Sequence, residues 1–195
     1  MINKMIFGIL GKKGHGKDTV SDYLVENYGF EKEALATPLK NACREIFNFT
    51  DEQLYTNLKE EVDPYWGIKP RIILQWLGTD VLRKEINKII PGIDDNIWIN
   101  SLILKYKNKQ KDNPNLDMVV SDCRFPNEIR ELHKLGCIII KINRPSLVNN
   151  DEHESEKNID LIKDYDYEII NDGTLDELYD KIDKIMNKYN YYKKY

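Results

Sequence analysis

Cysteine is scarce. Three residues, Cys43, Cys123 and Cys137, occur in a chain of 195, with no metal-type spacing between them. A disulfide scaffold and a zinc site are both poor readings, and buried free thiols in a reducing compartment are expected. Histidine is equally rare, and no His/Cys cluster outlines a structural metal. No apolar run reaches the length of a membrane span. The N-terminus lacks a signal-type apolar region with a small-residue cleavage site. A cytoplasmic protein with no membrane partner is expected. Asn48-Phe49-Thr50 matches a glycosylation acceptor and is read as chance on that basis. Basic residues do not dominate either. The formal net charge is −4, which argues against a general nucleic-acid binder. A nucleotide substrate is still allowed, because local charge decides that. Internal repeats and low-complexity linkers are absent.

What is present suits a globular protein: 41% apolar and 32% charged residues, in a length that fits one domain with a real core. The informative stretch is Gly11-Lys12-Lys13-Gly14-His15-Gly16-Lys17-Asp18-Thr19. An apolar run, Met5 to Leu10, precedes it, and an amphipathic segment, Val20 to Tyr28, follows. Strand, glycine loop, lysine and helix together make the context of a phosphate-binding P-loop. Glycines let the backbone curl until several N–H groups face an anion, and the helix N-terminus adds its positive dipole end. Lys17 then reaches the β- and γ-phosphates of a nucleotide. The spacing G-x-x-x-x-G-K is complete. The next position should be Ser or Thr, whose hydroxyl binds Mg²⁺; here it is Asp18, with Thr19 one place later. Either can serve the metal. His15 is grouped with the loop, its imidazole read as a neutral bystander, as is that of His133.

Strand-like and helical segments alternate along the chain, which predicts an α/β fold with a mostly parallel sheet. Strands are expected over Phe30–Leu35, Leu116–Ser121, Cys137–Ile142 and Tyr167–Ile170. Gly29 should close the first helix. Pro38 should open a helix to about Phe47, and Asp51 should cap a short one through Leu54 and Leu58. Lys59 to Lys69 reads as a loop, and Pro70 as the start of a longer helix ending near Asn87. Another helix should begin at Asp94 or Asp95, its tail Lys107 to Asn115 a solvated charge run. Pro126 should start a helix closed by Gly136. Thr174 and Glu177 form a capping box for the last helix. Tyr191 to Tyr195 should fray.

On the helix from Pro70, Arg71, Gln75, Thr79 and Arg83 recur every four residues and share one drifting face. The buried side should hold Ile72, Ile73, Trp76, Leu77, Val81 and Leu82. A solvated amphipathic face is the plain alternative. Against it, arginine grips phosphate in a two-pronged way, and Gly78 mid-helix costs about 1 kcal/mol against Ala, which marks a close approach. Asp122 ends an apolar strand, where P-loop proteins place a Mg²⁺-organising acid. Arg124, two residues on, can face the same crevice. Glu128 can hold its guanidinium; the plain alternative is an Asp capping the helix at Pro126. Arg144 ends the next strand. The polar stretch after it, Ser146 to Asn158, has the character of an active-site lid, and within it His153 is a weak candidate.

These pieces resemble a known family: the deoxynucleoside monophosphate kinases of large DNA phages and viruses, within the P-loop nucleoside monophosphate kinase group. The matching residues are Gly16–Thr19, Leu77–Asp80, Trp98, Asp122 with Arg124, Arg144-Pro145, and Asn171–Leu178. The resemblance implies a three-layer P-loop NTPase fold, a central parallel sheet flanked by helices. It also implies a small lid at about residues 145–160 and a monophosphate-binding region at about 38–90. It implies transfer of the γ-phosphoryl of ATP to a deoxynucleoside monophosphate. Asp122 and Arg124 are similar to the Asp and Arg of the D-G-x-P-R stretch in adenylate kinases, where the Asp organises magnesium and the Arg grips the acceptor phosphate. By the same likeness Asp172 and Gly173, in the stretch from Asn171, line the adenine pocket, and Trp98 joins the substrate site. The mechanism expected is Mg·ATP on Gly11–Thr19, with Asp18, Thr19 or Asp122 on the metal. Arg71, with Arg83 or Arg124, fixes the acceptor phosphate in line, and Arg144 closes from the lid side. A related kinase for another small acceptor, such as dephospho-coenzyme A or a phosphorylated alcohol, is the nearest alternative. A non-catalytic nucleotide switch is the other. The partners expected are small-molecule nucleotides, with a homodimer left open and, for a viral protein, the host cytoplasm as the compartment.

Overall fold

The computed structural model describes residues 4–147 and 159–194. Five strands form one all-parallel sheet: β1 (Ile6–Leu10), β2 (Glu31–Glu33), β3 (Met118–Cys123), β4 (Ile138–Asn143) and β5 (Tyr167–Ile170), in the order β2-β3-β1-β4-β5. Helices flank it, giving the three-layer α/β arrangement. A parallel sheet covered on both faces needs strands apolar throughout. β1 answers to that, with all five of its residues buried. Phe7 and Ile9 join Val119, Ile140, Ile142 and Ile169 in a core closed by helix α1 (Lys17–Tyr28) and the C-terminal helix. On the alternate positions of β1 lies Gly8. A Cβ there would stand 2.7 Å from Ile139 Cδ1 and 3.3 and 3.4 Å from the Cys123 and Cys137 sulfurs. All three cysteines are free and buried. Burial pushes the Cys123 and Cys137 thiols well above their ordinary range, so they pack as small apolar groups.

The chain divides into two compact units, Met1–Leu35 with Leu102–Tyr195, and Ala36–Ser101. The second is helical. It contains α2 (Thr37–Phe47), α3 (Asp51–Tyr55) and α4 (Pro70–Gln75) and buries Leu39, Cys43, Phe49, Leu54 and Ile73. The cap of α3 is Thr50 rather than Asp51: its hydroxyl accepts from Gln53 N–H while the Gln53 side chain accepts from Thr50 N–H. The helix opened by Pro70 does not run as a regular α-helix to Asn87. After Gln75 it widens into a π-helix over Trp76–Lys84, then tightens into a 3₁₀ turn over Glu85–Lys88. Bonds to the fifth residue change the angular step, so the expected faces shift. Within the π-helix Arg83 is 6% exposed; Ile72, in the regular turn ahead of it, and Trp76, its first residue, both expected inside, are 47% and 54% exposed.

Helix α5 (Ile97–Asp112) starts two residues later than the aspartates suggest and includes most of the supposed solvated tail. The helix is anchored there: Lys105, just ahead of that tail, and Lys109 within it each hold the buried Glu33 carboxylate at 2.7 Å. Gly29 and Gly136 close α1 and α6 (Pro126–Lys134) at φ 74° and 75°. The capping box of α7 (Leu175–Lys188) forms between Thr174 and Glu177. The end of the chain is not frayed through Lys194. The Tyr191 hydroxyl bonds the Asp117 carboxylate, its ring lies 5.9 Å from that of Phe30, Lys193 pairs with Asp183 at 2.8 Å, and Lys194 N–H donates to Asn27 C=O at 2.9 Å. Hydroxyl and ammonium tips meeting carboxylates set far back in the chain hold what composition alone leaves loose.

Candidate active site

Because all five strands run parallel, their carboxyl ends share one edge. Gly11, Arg124, Arg144 and Asn171 are each the first residue past their strands, β1, β3, β4 and β5. The strand order reverses at β1, whose neighbours are β3 and β4, and such a switch point is where open α/β sheets bind ligands.

The glycine loop fills that position. Gly14 and Gly16 adopt φ 81° and 103°, the left-handed region that glycine enters freely. Gly16 is the N-cap of α1 and supplies no side chain to it, so the first helical N–H groups face outward as anion donors. Gly11 must be glycine for space: a Cβ would stand 2.6 Å from the Ile142 carbonyl oxygen. Lys17 is 8% exposed and its ammonium donates to the Lys12 carbonyl at 2.9 Å. His15 N–H reaches the same carbonyl at 3.2 Å. The loop is thus curled on itself, with the Lys17 ammonium folded into it.

His15 is buried, and its Nδ1 lies 3.2 Å from Arg144 N and 3.3 Å from Ile142 O. Nδ1 accepts from the Arg144 N–H in one tautomer and donates to the Ile142 carbonyl in the other. The imidazole thereby ties the loop to the end of β4. A cavity of about 310 Å³ opens beside it, lined by Lys12, His15, Lys141, Arg144, Leu147 and Asp160 among others. Lys12 pairs with Asp160 at 2.7 Å.

β3 reaches further than the apolar run suggests, and Asp122 lies within its end. The register changes there, from Gly8 opposite Val120 to Leu10 opposite Cys123. Three residues of β3 span two of β1, a bulge of the kind that re-aims a side chain beside a site. Asp122 Oδ1 accepts from Leu35 N–H at 2.7 Å. Glu128, 2% exposed, accepts through Oε2 from the backbone N–H groups of Arg124 and Phe125 at 2.9 and 3.0 Å. It therefore fixes the backbone on which Arg124 stands and opens α6; Asp122 is not the cap of that helix. Asp18 is the first-turn acid of α1, its side chain 81% exposed and paired with Lys32 at 3.1 Å. Lys32 also holds Asp22 at 2.8 Å. Burial lowers its affinity for a proton, but the two carboxylates outweigh that and raise it. Thr19 is half-buried in the same turn. Among the described residues no three acidic, Cys or His side chains cluster as a metal cage.

In the helical unit, Arg71 Nε donates to Glu60 Oε1 at 2.5 Å. Gln75 and Thr79 are half-buried, with no side-chain hydrogen bond among the described residues. Arg83 donates to the Asp95 carbonyl at 3.0 Å, which ties the π-helix to the turn before α5. Trp98 Nε1 donates to the Gly78 carbonyl at 3.0 Å. A Cβ on Gly78 would meet Leu39 Cδ2 at 2.6 Å, so the close approach there is that of α2. Asp172 and Gly173 are exposed, beside Lys181, which donates to the Ile170 carbonyl at 2.6 Å. Most of the supposed lid, with His153, Glu154, Ser155 and Glu156, lies outside the described residues.

Sequence reasoning missed two partners, Glu60 of Arg71 and the tie from Asn171 to the loop. The Asn171 amide donates to the His15 carbonyl at 3.0 Å. Its place just past β5, matching Gly11, Arg124 and Arg144 past theirs, was the available signal.

A model of the deoxynucleotide monophosphate kinase family matches residues 4–69 and 45–182. A protein of Acanthamoeba polyphaga mimivirus, assigned by its name to the deoxynucleotide monophosphate kinases, is 40% identical over 181 residues, 91% of this chain and 94% of its own. The deoxynucleotide monophosphate kinase of Enterobacteria phage T4 is 25% identical over 246 aligned positions, 92% of this chain and 97% of its own. Among solved structures, an unliganded sugar kinase from Janibacter sp. HTCC2649 superposes over 94% of this chain and 95% of its own with a TM-score of 0.52 at 11% identity, a likeness of fold.

Proposed function

The chain belongs to the deoxynucleotide monophosphate kinase family, and on that premise we propose that it transfers the γ-phosphoryl of ATP to a deoxynucleoside monophosphate, with Mg²⁺, by in-line displacement. The observation that carries this reading is the buried Lys17 ammonium, curled into a glycine loop at the switch point of a parallel sheet and donating to a backbone carbonyl. An ATP phosphate is a stronger partner for an ammonium than a neutral carbonyl is, so Lys17 turns to it.

In this reading Gly11, Gly14, His15, Gly16, Lys17 and Thr19 form the cradle for the triphosphate. Arg144, joined to His15 through its own N–H, neutralises charge on the transferred group. Arg124, on the backbone that Glu128 fixes, serves the acceptor phosphate. Arg71, in the helical unit, serves it too, pre-oriented by Glu60, with Gln75 and Thr79 beside it on the stripe. Arg83 and Trp98 shape that region through Asp95 and Gly78. Asp172 and Gly173 border the adenine. Mg²⁺ in such sites leans on substrate phosphates, waters and one or two carboxylates rather than on an all-protein cage. Asp122 on its bulge and Thr19 suit that demand, and the pairing of Asp18 with Lys32 puts Asp18 behind them. The ion would offset charge on the β- and γ-oxygens. A monophosphate oxygen is already anionic, so no strong base is required, and catalysis is positioning and charge neutralisation. The cytoplasm supplies both substrates. The test is ADP formation from Mg·ATP with each deoxynucleoside and ribonucleoside monophosphate in turn. Turnover with a deoxynucleoside monophosphate is expected. ADP release only with dephospho-coenzyme A or a phosphorylated alcohol would replace the acceptor, and no acceptor-dependent release at all would end the reading.

A further inference from the structure

We propose that Asn171 is a positioning residue that sets the conformation of the phosphate loop for ATP, an inference that rests on the reading above. Three contacts converge on it. Its side-chain amide donates to the His15 carbonyl at 3.0 Å. Its backbone N–H donates to the Asn143 carbonyl at 2.7 Å, joining β5 to β4 just before Arg144. A Cβ placed on Gly16 would stand 2.8 Å from the Asn171 Nδ2 and 3.8 Å from Leu178 Cδ2, so the amide fills the space behind that glycine.

The peptide between His15 and Gly16 is the one that matters. In a trans peptide the C=O and the N–H point to opposite sides of the chain. Holding the His15 oxygen toward Asn171 aims the Gly16 N–H the other way, as an anion-binding nest requires. With glycine on its C-terminal side at φ 103°, this peptide has little steric resistance to turning over. A turned peptide would present a carbonyl where a phosphate needs a donor. The Asn171 amide opposes that by its bond and by its bulk, while His15, fixed through Nδ1 and Arg144 N–H, holds the other side. Asn171 thus prepares the loop without touching the nucleotide.

The test compares Asn171→Ala and Asn171→Asp with the wild-type chain. The Asp variant keeps the shape, loses the donor and sets an anion against a carbonyl. Both should raise the KM for ATP by about tenfold, the scale of one lost hydrogen bond to a group that must stay oriented, with the KM for the acceptor and the thermal midpoint little changed. Where the Asp variant fails to fold, the Ala variant decides, and the reverse. An unmoved ATP KM in the folded variant, or ATP and acceptor KM values rising together, overturns the inference and leaves the kinase reading standing. A wild-type chain that releases no ADP with any acceptor overturns both.

Discussion

The ammonium of Lys17 sits 2.9 Å from the carbonyl oxygen of Lys12, five residues back, and both are drawn into a loop that ends on the left-handed Gly16. That acceptor carries no net charge, so a phosphate competes well for the cation. Lys17→Ala is expected to lower turnover by at least about a hundredfold, the cost of removing one such electrostatic group. The thermal midpoint should stay close to wild type, because a hydrogen bond to a carbonyl contributes about 1 kcal/mol. Turnover within a few fold of wild type would take the loop out of the mechanism.

Arg71 is held by Glu60 at 2.5 Å, both partly exposed. Exposed pairs of this kind stabilise by about 1 kcal/mol or less, so the pair is worth more as a way of aiming the guanidinium. Arg71→Ala should raise the KM for the acceptor monophosphate by about tenfold to a hundredfold, the cost of a charge-assisted pair, and that for ATP far less. Glu60→Gln should give a smaller effect of the same kind. Equal rises for both substrates would show that Arg71 serves the fold alone.

Gly11→Ala tests the loop from the other side. Its new methyl would meet the backbone oxygen of Ile142 at 2.6 Å, and a strand carbonyl cannot swing aside. The expected outcome is a stability loss of about 1–3 kcal/mol with ATP turnover largely gone. A chemical denaturation curve and an ADP assay on the same sample check both parts.

Asp183 gives a pH dependence with a definite sign. Burial pushes its carboxyl up, but hydrogen bonds from Lys193, Tyr28 and Tyr23 outweigh that and hold it below its ordinary value of 3.8. A depressed acid stabilises the fold above its unfolded pKa and loses that contribution as pH falls through the folded one. Stability should therefore decline below about pH 4, and Asp183→Asn should flatten that decline while lowering stability at neutral pH. Tyr23 and Tyr28 sit on the same carboxylate and are shifted upward from 10.0, mainly by burial. Their contribution is complete below pH 10 and is lost as pH rises through the raised values. Denaturation midpoints from about pH 3 to about pH 11 check both limbs.

The strand–glycine loop–helix order and several helix ends were legible because each is local: a few adjacent residues decide it. Gly29, Gly136 and the Thr174–Glu177 box behave as their neighbours in sequence demand. The π-helix over Trp76–Lys84 was not legible, since no residue pattern announces bonds to the fifth neighbour, and within it the changed angular step carries Arg83 to a buried position. The bulge that turns Asp122 depends on how β3 pairs with β1, a strand from the far end of the chain. Asn171 and His15 are 156 residues apart. Such meetings follow from strand order, which the sequence expresses only through the whole fold.

Asp117 accepts from Met5 N–H at 2.8 Å through one oxygen and from the Tyr191 hydroxyl through the other. The first strand and the last segment therefore meet on a single carboxylate. Loss of that one carboxylate would loosen both segments together, although they stand at opposite ends of the sequence.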